Sequence, residues 1–134
     1  MRNARLLHLH DRIEVICTTV ETWQPQPRYF DLIVANPPYI ALNDSTVQLS
    51  VHQHEPHLAL YSGADGLAAI RAWSAFALRH LTPCGIFVCE IGSGQRQKVV
   101  SIMEKCGFTN VETQQDLAGI ERVISAQSAE NKNG

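Results

Sequence analysis

The sequence feature that most limits the fold is a run of apolar residues that two prolines stop. Residues 29–35 read YFDLIVA and are continuously apolar after Asp31, which is typical of a parallel strand covered on both faces. The run ends in the tetrapeptide NPPY at residues 36–39. Two prolines cannot continue a central strand, because proline lacks the backbone N–H donor. The chain therefore contains a buried strand with a sharply defined carboxyl end.

The other predicted elements place this strand in an α/β fold. Apolar and β-branched runs predict strands over 13–17, 86–91, 110–114 and 121–126, and helical spacing predicts helices over 3–9, 65–81 and 95–105. Helices between apolar strands indicate a mostly parallel sheet with crossover connections. The short link 116–120 indicates that the last two strands form an antiparallel pair. We expect one domain over 1–126, followed by a polar tail over 127–134.

Composition narrows the function classes. The 134 residues are 45% hydrophobic and 18% charged, with a formal net charge of -2, which indicates one globular domain without the basic footprint of a nucleic-acid binder. No apolar stretch is long enough to span a membrane. The four cysteines form no C-x-x-C pair, so we expect reduced thiols in a cytoplasmic protein and no zinc ribbon.

The tetrapeptide NPPY suggests a chemistry. In open α/β sheets, ligands bind beyond the carboxyl ends of the strands, which is where Asn36 lies. The Asn36 side-chain oxygen and the Pro37 carbonyl are two acceptors that can hold the two N–H bonds of a planar carboxamide, and the two adjacent prolines stiffen this corner. Tyr39 supplies an aromatic wall. The simpler interpretation is a turn after a strand.

Two other signals are weaker. Glu90-Ile-Gly92-Ser-Gly94 follows a strand, with Asp116 further on, but the third glycine of a dinucleotide-binding turn is absent. The long segment 41–62 contains three histidines and a carboxylate, and one loop rarely supplies the four held ligands of a zinc site; these residues are His52, His54, His57 and Glu55. We therefore expect no metal.

Several spaced motifs resemble the release-factor glutamine methyltransferase family. The segment FDLIVANPPYI at 30–40 resembles the signature of that family, and the blocks at 55–67, 83–95 and 116–123 follow it in the order of the family. The resemblance covers residues 3–126. Residues 18–19 are two threonines where the family usually has Gly-Asp.

The resemblance implies a Rossmann-like class I S-adenosylmethionine-dependent methyltransferase fold that is N-terminally truncated, with its first two strands missing. It implies N5-methylation of the glutamine in the Gly-Gly-Gln motif of peptide chain release factors. Four residues would bind the glutamine: Asn36, Pro37, Pro38 and Tyr39. Asn36 and Val20 would contact S-adenosylmethionine, although most of the donor pocket would be absent from this chain.

The truncation has a structural consequence and leaves two alternatives. Without the first two strands, residues 1–20 have no sheet neighbour, and the remaining four strands would form a small sheet. One alternative is an amino-methyltransferase that acts on a nucleic-acid base, since such enzymes share the Asn-Pro-Pro-aromatic logic. The other is a non-catalytic truncated remnant.

Overall fold

A four-stranded mixed sheet forms the centre of the fold. The computed structural model describes residues 2–25, 30–39 and 62–130. In chain order the elements are α1 (Arg2–Leu6), β1 (Phe30–Ala35), α2 (Ala68–His80), β2 (Leu81–Glu90), α3 (Arg96–Cys106), β3 (Thr109–Gln115) and β4 (Glu121–Gln127). The strand order is β1-β2-β4-β3. The strands β1 and β2 are parallel, and β4 is antiparallel to both of its neighbours. The sheet is therefore mixed, and the predicted antiparallel pair at its end is confirmed.

The core lies between the two long helices and one face of the sheet. The strand residues Phe87, Cys89 and Ile124 point into it and are at most 1% exposed. Ile70 on α2 and Met103 on α3 are fully buried against them. Because side chains alternate along a strand, the residues between these positions lie on the opposite face.

The predicted strand over 13–17 is wrong for this chain. The structure has no regular element between Leu6 and Phe30 among the described residues, and Val15 is 63% exposed. A strand is stable only beside neighbours that pair its backbone groups, and the resemblance places the neighbour of this segment among the missing strands. The following residues pack on α2 instead, where Trp23 stacks on Phe76 with ring centroids 5.7 Å apart.

The strand β2 begins five residues earlier than predicted. The sequence TPCG at 82–85 indicates a turn after a helix, but the sheet absorbs it as an irregularity: Phe30 pairs with Leu81, and Leu32 already pairs with Ile86. Cys84 adopts a left-handed backbone conformation with φ of 62°, which lets the chain loop out and rejoin the ladder.

The far end of β4 is also longer than predicted. The strand includes Gln127, and the next residue, Ser128, is buried. Its hydroxyl donates to the Thr82 carbonyl at 2.6 Å, and its backbone N–H donates to the Gly85 carbonyl at 2.9 Å. Gln127 therefore belongs to the sheet and Ser128 is hydrogen-bonded to β2, and the division of the chain into 1–126 and a tail stays a prediction.

The described ranges contain neither a membrane-spanning helix nor a cluster of metal-binding side chains. None of the helices there has the length and apolar character needed to cross a bilayer. No group of three or more histidine, cysteine or acidic side chains is arranged to hold a metal ion in residues 2–25, 30–39 and 62–130.

Candidate active site at the carboxyl edge of the sheet

The carboxyl ends of β1 and β2 meet at one edge of the sheet. Ala35 pairs with Cys89, so Asn36, the first residue after β1, lies beside Glu90, the last residue of β2. Asn36 is exposed, whereas the Pro37 ring is fully buried. Burial fixes the direction in which the chain leaves β1 and keeps the Asn36 side chain at the surface of this edge.

Glu90 fixes the ring of Tyr39. The Tyr39 hydroxyl donates to Glu90 Oε1 at 2.9 Å, and the contact is partly buried. A hydrogen bond to a carboxylate is stronger than one between neutral groups. The aromatic ring that ends the tetrapeptide is therefore held at its tip.

Gln95 ties the backbone of Tyr39 to the exit of β2. The Gln95 side-chain nitrogen donates to the Tyr39 carbonyl at 2.8 Å, and its oxygen accepts the Gly92 N–H at 2.9 Å. Gly92 is needed here, because an added Cβ would lie 2.8 Å from Gln95 Oε1 and 3.2 Å from the Tyr39 ring. We call Glu90, Gly92 and Gln95 the clamp.

Sequence reasoning did not assign a role to the clamp. The segment from Glu90 to Gln95 resembles the family, and its alternative interpretation as a nucleotide-binding turn depends on its glycines. The signal that points to the clamp is positional. Parallel strands end at the same edge, so polar residues just after one strand contact the residues just after its neighbour.

The turn between β3 and β4 lies at this same edge. The Ile91 N–H donates to the Arg122 carbonyl at 2.9 Å, which joins the exit of β2 to the start of β4. Asp116 organises the turn: its carboxylate accepts the N–H groups of Ala118 and Ile120 at 2.9 and 3.0 Å. These hydrogen bonds lower the pKa of Asp116, the bond from Ile120 contributing most. Asp116 is a turn residue, which argues against a role as a ribose-binding acid.

Val20 does not join Asn36 at the carboxyl edge. It lines a cavity of about 630 Å³ with residues of α2 from Ala72 to His80. Trp23, on the same cavity, has its ring centroid 6.0 Å from that of Phe30 at the start of β1. The described residues therefore do not assemble the donor pocket that the resemblance implies, and the contact of Val20 with the donor stays a prediction.

The remaining candidates fall elsewhere. The carboxylate of Asp31 accepts the Thr82 hydroxyl at 3.0 Å, at the amino end of β1, so it acts in the structure of the sheet. The histidine-rich segment, with His52, His54, His57 and Glu55, lies outside the described residues.

Comparison with known proteins gives a consistent result. No protein-family model matches the chain. A release factor glutamine methyltransferase of Cereibacter sphaeroides is 38% identical over 126 residues, which are 93% of this chain and 45% of that protein. A second, from Caulobacter vibrioides, is 46% identical over 96 residues, which are 71% of this chain and 33% of that protein. The chain is related to the release factor glutamine methyltransferases. It spans less than half the length of these relatives.

The comparisons confirm the family resemblance and the predicted fold class. An O-methyltransferase family protein from Burkholderia thailandensis has a similar structure, with a TM-score of 0.58 and 8% identity, covering 98% of this chain and 40% of that chain. At this identity the likeness shows the fold alone. The chain is part of a class I methyltransferase fold. Its similarity to glutamine methyltransferases supports the resemblance that was based on the tetrapeptide NPPY.

Proposed function

We propose that this chain is the substrate-binding part of an S-adenosylmethionine-dependent protein-glutamine N5-methyltransferase. The observation that carries the proposal is the clamped corner at the carboxyl edge: Tyr39 is held by Glu90 and Gln95, and Asn36 stands exposed beside it. A corner fixed at several points is suited to hold a planar group in one orientation.

The chemistry of the substrate explains why such a corner is useful. An amide nitrogen is a poor nucleophile, because its lone pair is delocalised into the carbonyl. In the proposal, the Asn36 side-chain oxygen and the Pro37 carbonyl accept the two N–H bonds of the glutamine carboxamide. The Tyr39 ring packs against the amide plane. These contacts aim the nitrogen, and positioning of this kind supplies a large share of the rate acceleration in transfer reactions.

The proposed substrate is the glutamine of the Gly-Gly-Gln motif in a peptide chain release factor. The names of the relatives support it, since both act on release factor glutamine. Release factors act in translation, so the proposed substrate would place the protein in the cytoplasm.

The proposed methyl donor is S-adenosylmethionine, as in the family that the chain resembles. In the proposal, Asn36 contacts the donor at the edge where the substrate would bind. Since Val20 lines a cavity elsewhere, the described residues do not fit the donor as a complete site. The proposal therefore assigns substrate binding to this chain and assigns no step to the donor.

Mass spectrometry tests the proposal directly. Because the described residues do not form a complete donor site, the chain is joined to the part of the Cereibacter sphaeroides relative that it does not cover. A release-factor domain is incubated with S-adenosylmethionine and this fusion, and in parallel with an adenine-containing oligonucleotide in its place. We expect the mass of one added methyl group on the glutamine, loss of this product with Asn36→Ala, and retention with Asn3→Ala, whose side chain is exposed on α1. Methylation of the oligonucleotide instead would contradict the proposal and support the base-methylating alternative.

A second candidate, a non-catalytic remnant, is favoured by the position of Val20 and by the absence of a strand over 13–17. Calorimetry of the chain with S-adenosylmethionine separates the two candidates. Binding in the micromolar range would exclude the remnant. A chain that binds a Gly-Gly-Gln peptide but does not bind the donor would instead be a substrate-binding remnant without catalysis.

A further inference from the structure

We propose that residues 116–120, the turn between β3 and β4, form a docking surface for the protein substrate beside the candidate active site. We call these residues the hairpin tip. The inference rests on the proposed function, because it assumes that the carboxamide held at Asn36 belongs to a folded protein. It assigns to this turn a contact with the surface of that protein outside the modified glutamine.

The sheet register places the hairpin tip on the same side of the molecule as Asn36. Glu90 at the end of β2 pairs with Val123 of β4 on one side, and its neighbour Cys89 pairs with Ala35 of β1 on the other. Adjacent strands lie about 4.8 Å apart, so the start of β4 is about 10 Å from the end of β1. The hairpin tip extends a few residues beyond the start of β4. One partner contributes roughly 800 Å² to a specific interface, and a patch of that area can include both Asn36 and the hairpin tip.

The hairpin tip presents apolar side chains to solvent. Leu117 has a relative exposure of 110%, the highest among the large apolar side chains that the structure describes as exposed, and Ile120 is 36% exposed. A single exposed apolar side chain is ordinary. Here, however, two of them stand three positions apart at the same edge of the sheet as a clamped polar corner, which matches the combination of apolar anchors and polar contacts in protein interfaces.

The turn is rigid, which reduces the entropy lost on binding. The Asp116 N–H donates to the Ile120 carbonyl at 2.8 Å, and the Asp116 carboxylate accepts two backbone N–H groups of the tip. Arg122 Nε also donates to Asp116 Oδ2 at 3.3 Å. Leu117 is therefore carried on a preformed loop, and preorganisation of this kind raises affinity because less freedom is lost when the partner binds.

The charges around the tip favour a protein over a nucleic acid. Each arginine near the tip already has a carboxylate partner: Arg122 contacts Asp116 at 3.3 Å, and Arg96 Nε contacts Glu121 at 2.9 Å. Nucleic-acid binding depends on cations that neutralise phosphates. Paired arginines with an apolar tip between them instead suit an uncharged protein surface.

Calorimetric titration with two probes tests the docking surface. The first probe is a release-factor protein that contains the Gly-Gly-Gln loop, and the second is a short Gly-Gly-Gln peptide that is too small to reach the tip. We expect Leu117→Ser to weaken binding of the protein about tenfold or more, as for an interface anchor, and to leave peptide binding unchanged. The matched control is Ile86→Ser, because Ile86 is 43% exposed and pairs with Gln127 at the end of β4 opposite the tip.

Each outcome decides one of the two proposals. Equal affinities of the wild-type chain and Leu117→Ser for the release-factor protein would overturn the docking surface while leaving the proposed function intact. Weakening by Ile86→Ser to the same extent would also overturn it, since the effect would then be general to exposed apolar residues. A wild-type chain that binds neither the protein nor the peptide would overturn the proposed function, and the docking surface with it. Circular dichroism confirms that each variant is folded.

Discussion

The two faces of the sheet differ sharply in how they are covered. On one face α2 and α3 bury Phe87 and Ile124 completely or almost so, whereas on the other face Leu32 and Val34 are 55% and 70% exposed within the described part of the chain. Both residues belong to β1, whose sequence is apolar on both sides. The sequence of β1 is therefore adapted to burial on both faces of the sheet. The described part of the chain, residues 2–25, 30–39 and 62–130, covers only one of these faces.

The largest expected difference between the covered face and the exposed surface is in thiol reactivity. Burial raises the pKa of the Cys89 thiol to about 12, while Cys84 in the irregular start of β2 is exposed. Because the thiolate is the reactive form, the raised pKa alone lowers the reactive fraction of Cys89 about a thousandfold. Disulfide-exchange kinetics at mildly alkaline pH, on chains that keep one of these cysteines and carry serine at the others, measures the ratio. Similar rates would show that the covered face opens readily.

Truncations on the two faces should have very different effects on stability. Phe87→Ala removes a side chain that is 1% exposed, so we expect it to lower the free energy of unfolding by about 3–5 kcal/mol. Val34→Ala removes a side chain that is 70% exposed, and we expect a change within about 0.5 kcal/mol. Equilibrium unfolding in urea measures both. A large loss with Val34→Ala would mean that this face is covered in solution.

A smaller change is expected inside the covered face, at Ser74 of α2. The Ser74 hydroxyl is fully buried and has no hydrogen-bond partner among the described residues, and an unsatisfied buried polar group costs about 1–3 kcal/mol. We therefore expect Ser74→Ala to increase the free energy of unfolding by about 1 kcal/mol. The same urea experiment tests it, with Ser93→Ala, at an exposed position, as the control. A loss of stability would indicate a partner for this hydroxyl.

The smallest expected effect concerns the surface at the start of α2, outside both faces. Hydrogen bonds from Arg71 and from the Leu67 N–H lower the pKa of Asp65 to about 2. A carboxyl whose pKa is lower in the folded state stabilises the fold above its unfolded pKa of about 3.9 and loses this contribution as the pH falls towards 2. We expect Asp65→Asn to flatten the pH dependence of stability between about pH 4 and pH 2. The assignment would be contradicted if urea unfolding showed the same pH dependence of the free energy of unfolding for Asp65→Asn as for the wild-type chain.

Most of the sheet was predictable from the sequence, because its elements have strong local patterns. The apolar run of β1 and the helical stripe of α2 required no knowledge of their neighbours. The segment 13–17 has an equally good strand pattern, yet it forms no strand, since pairing depends on residues elsewhere. The early start of β2 is not predicted for a similar reason. The local proline and glycine predict a turn, but β2 pairs with Phe30 and Leu32 on both sides of an irregular segment and so continues as one strand.

The candidate site was predictable in part. The position of Asn36 follows from the end of an apolar strand, and the structure places it at the carboxyl edge as the pattern requires. Its supporting residues Glu90 and Gln95 are 54 and 59 positions away in the sequence, and only the register between β1 and β2 brings them together. The role of Val20 was inferred from family resemblance alone, and the structure places it on another cavity.

The local pairing of β3 with β4 has a consequence for the order of folding. Its two strands are separated by a five-residue turn, whereas the pairing of Leu32 with Ile86 closes a loop of more than 50 residues. Local hairpins form within about 1–10 μs, and closing a long loop carries a greater entropic cost. The amides of the hairpin should therefore gain protection before those of β1 in pulse-labelled hydrogen exchange. The part of the molecule that carries Leu117 would then be the earliest to acquire its native shape.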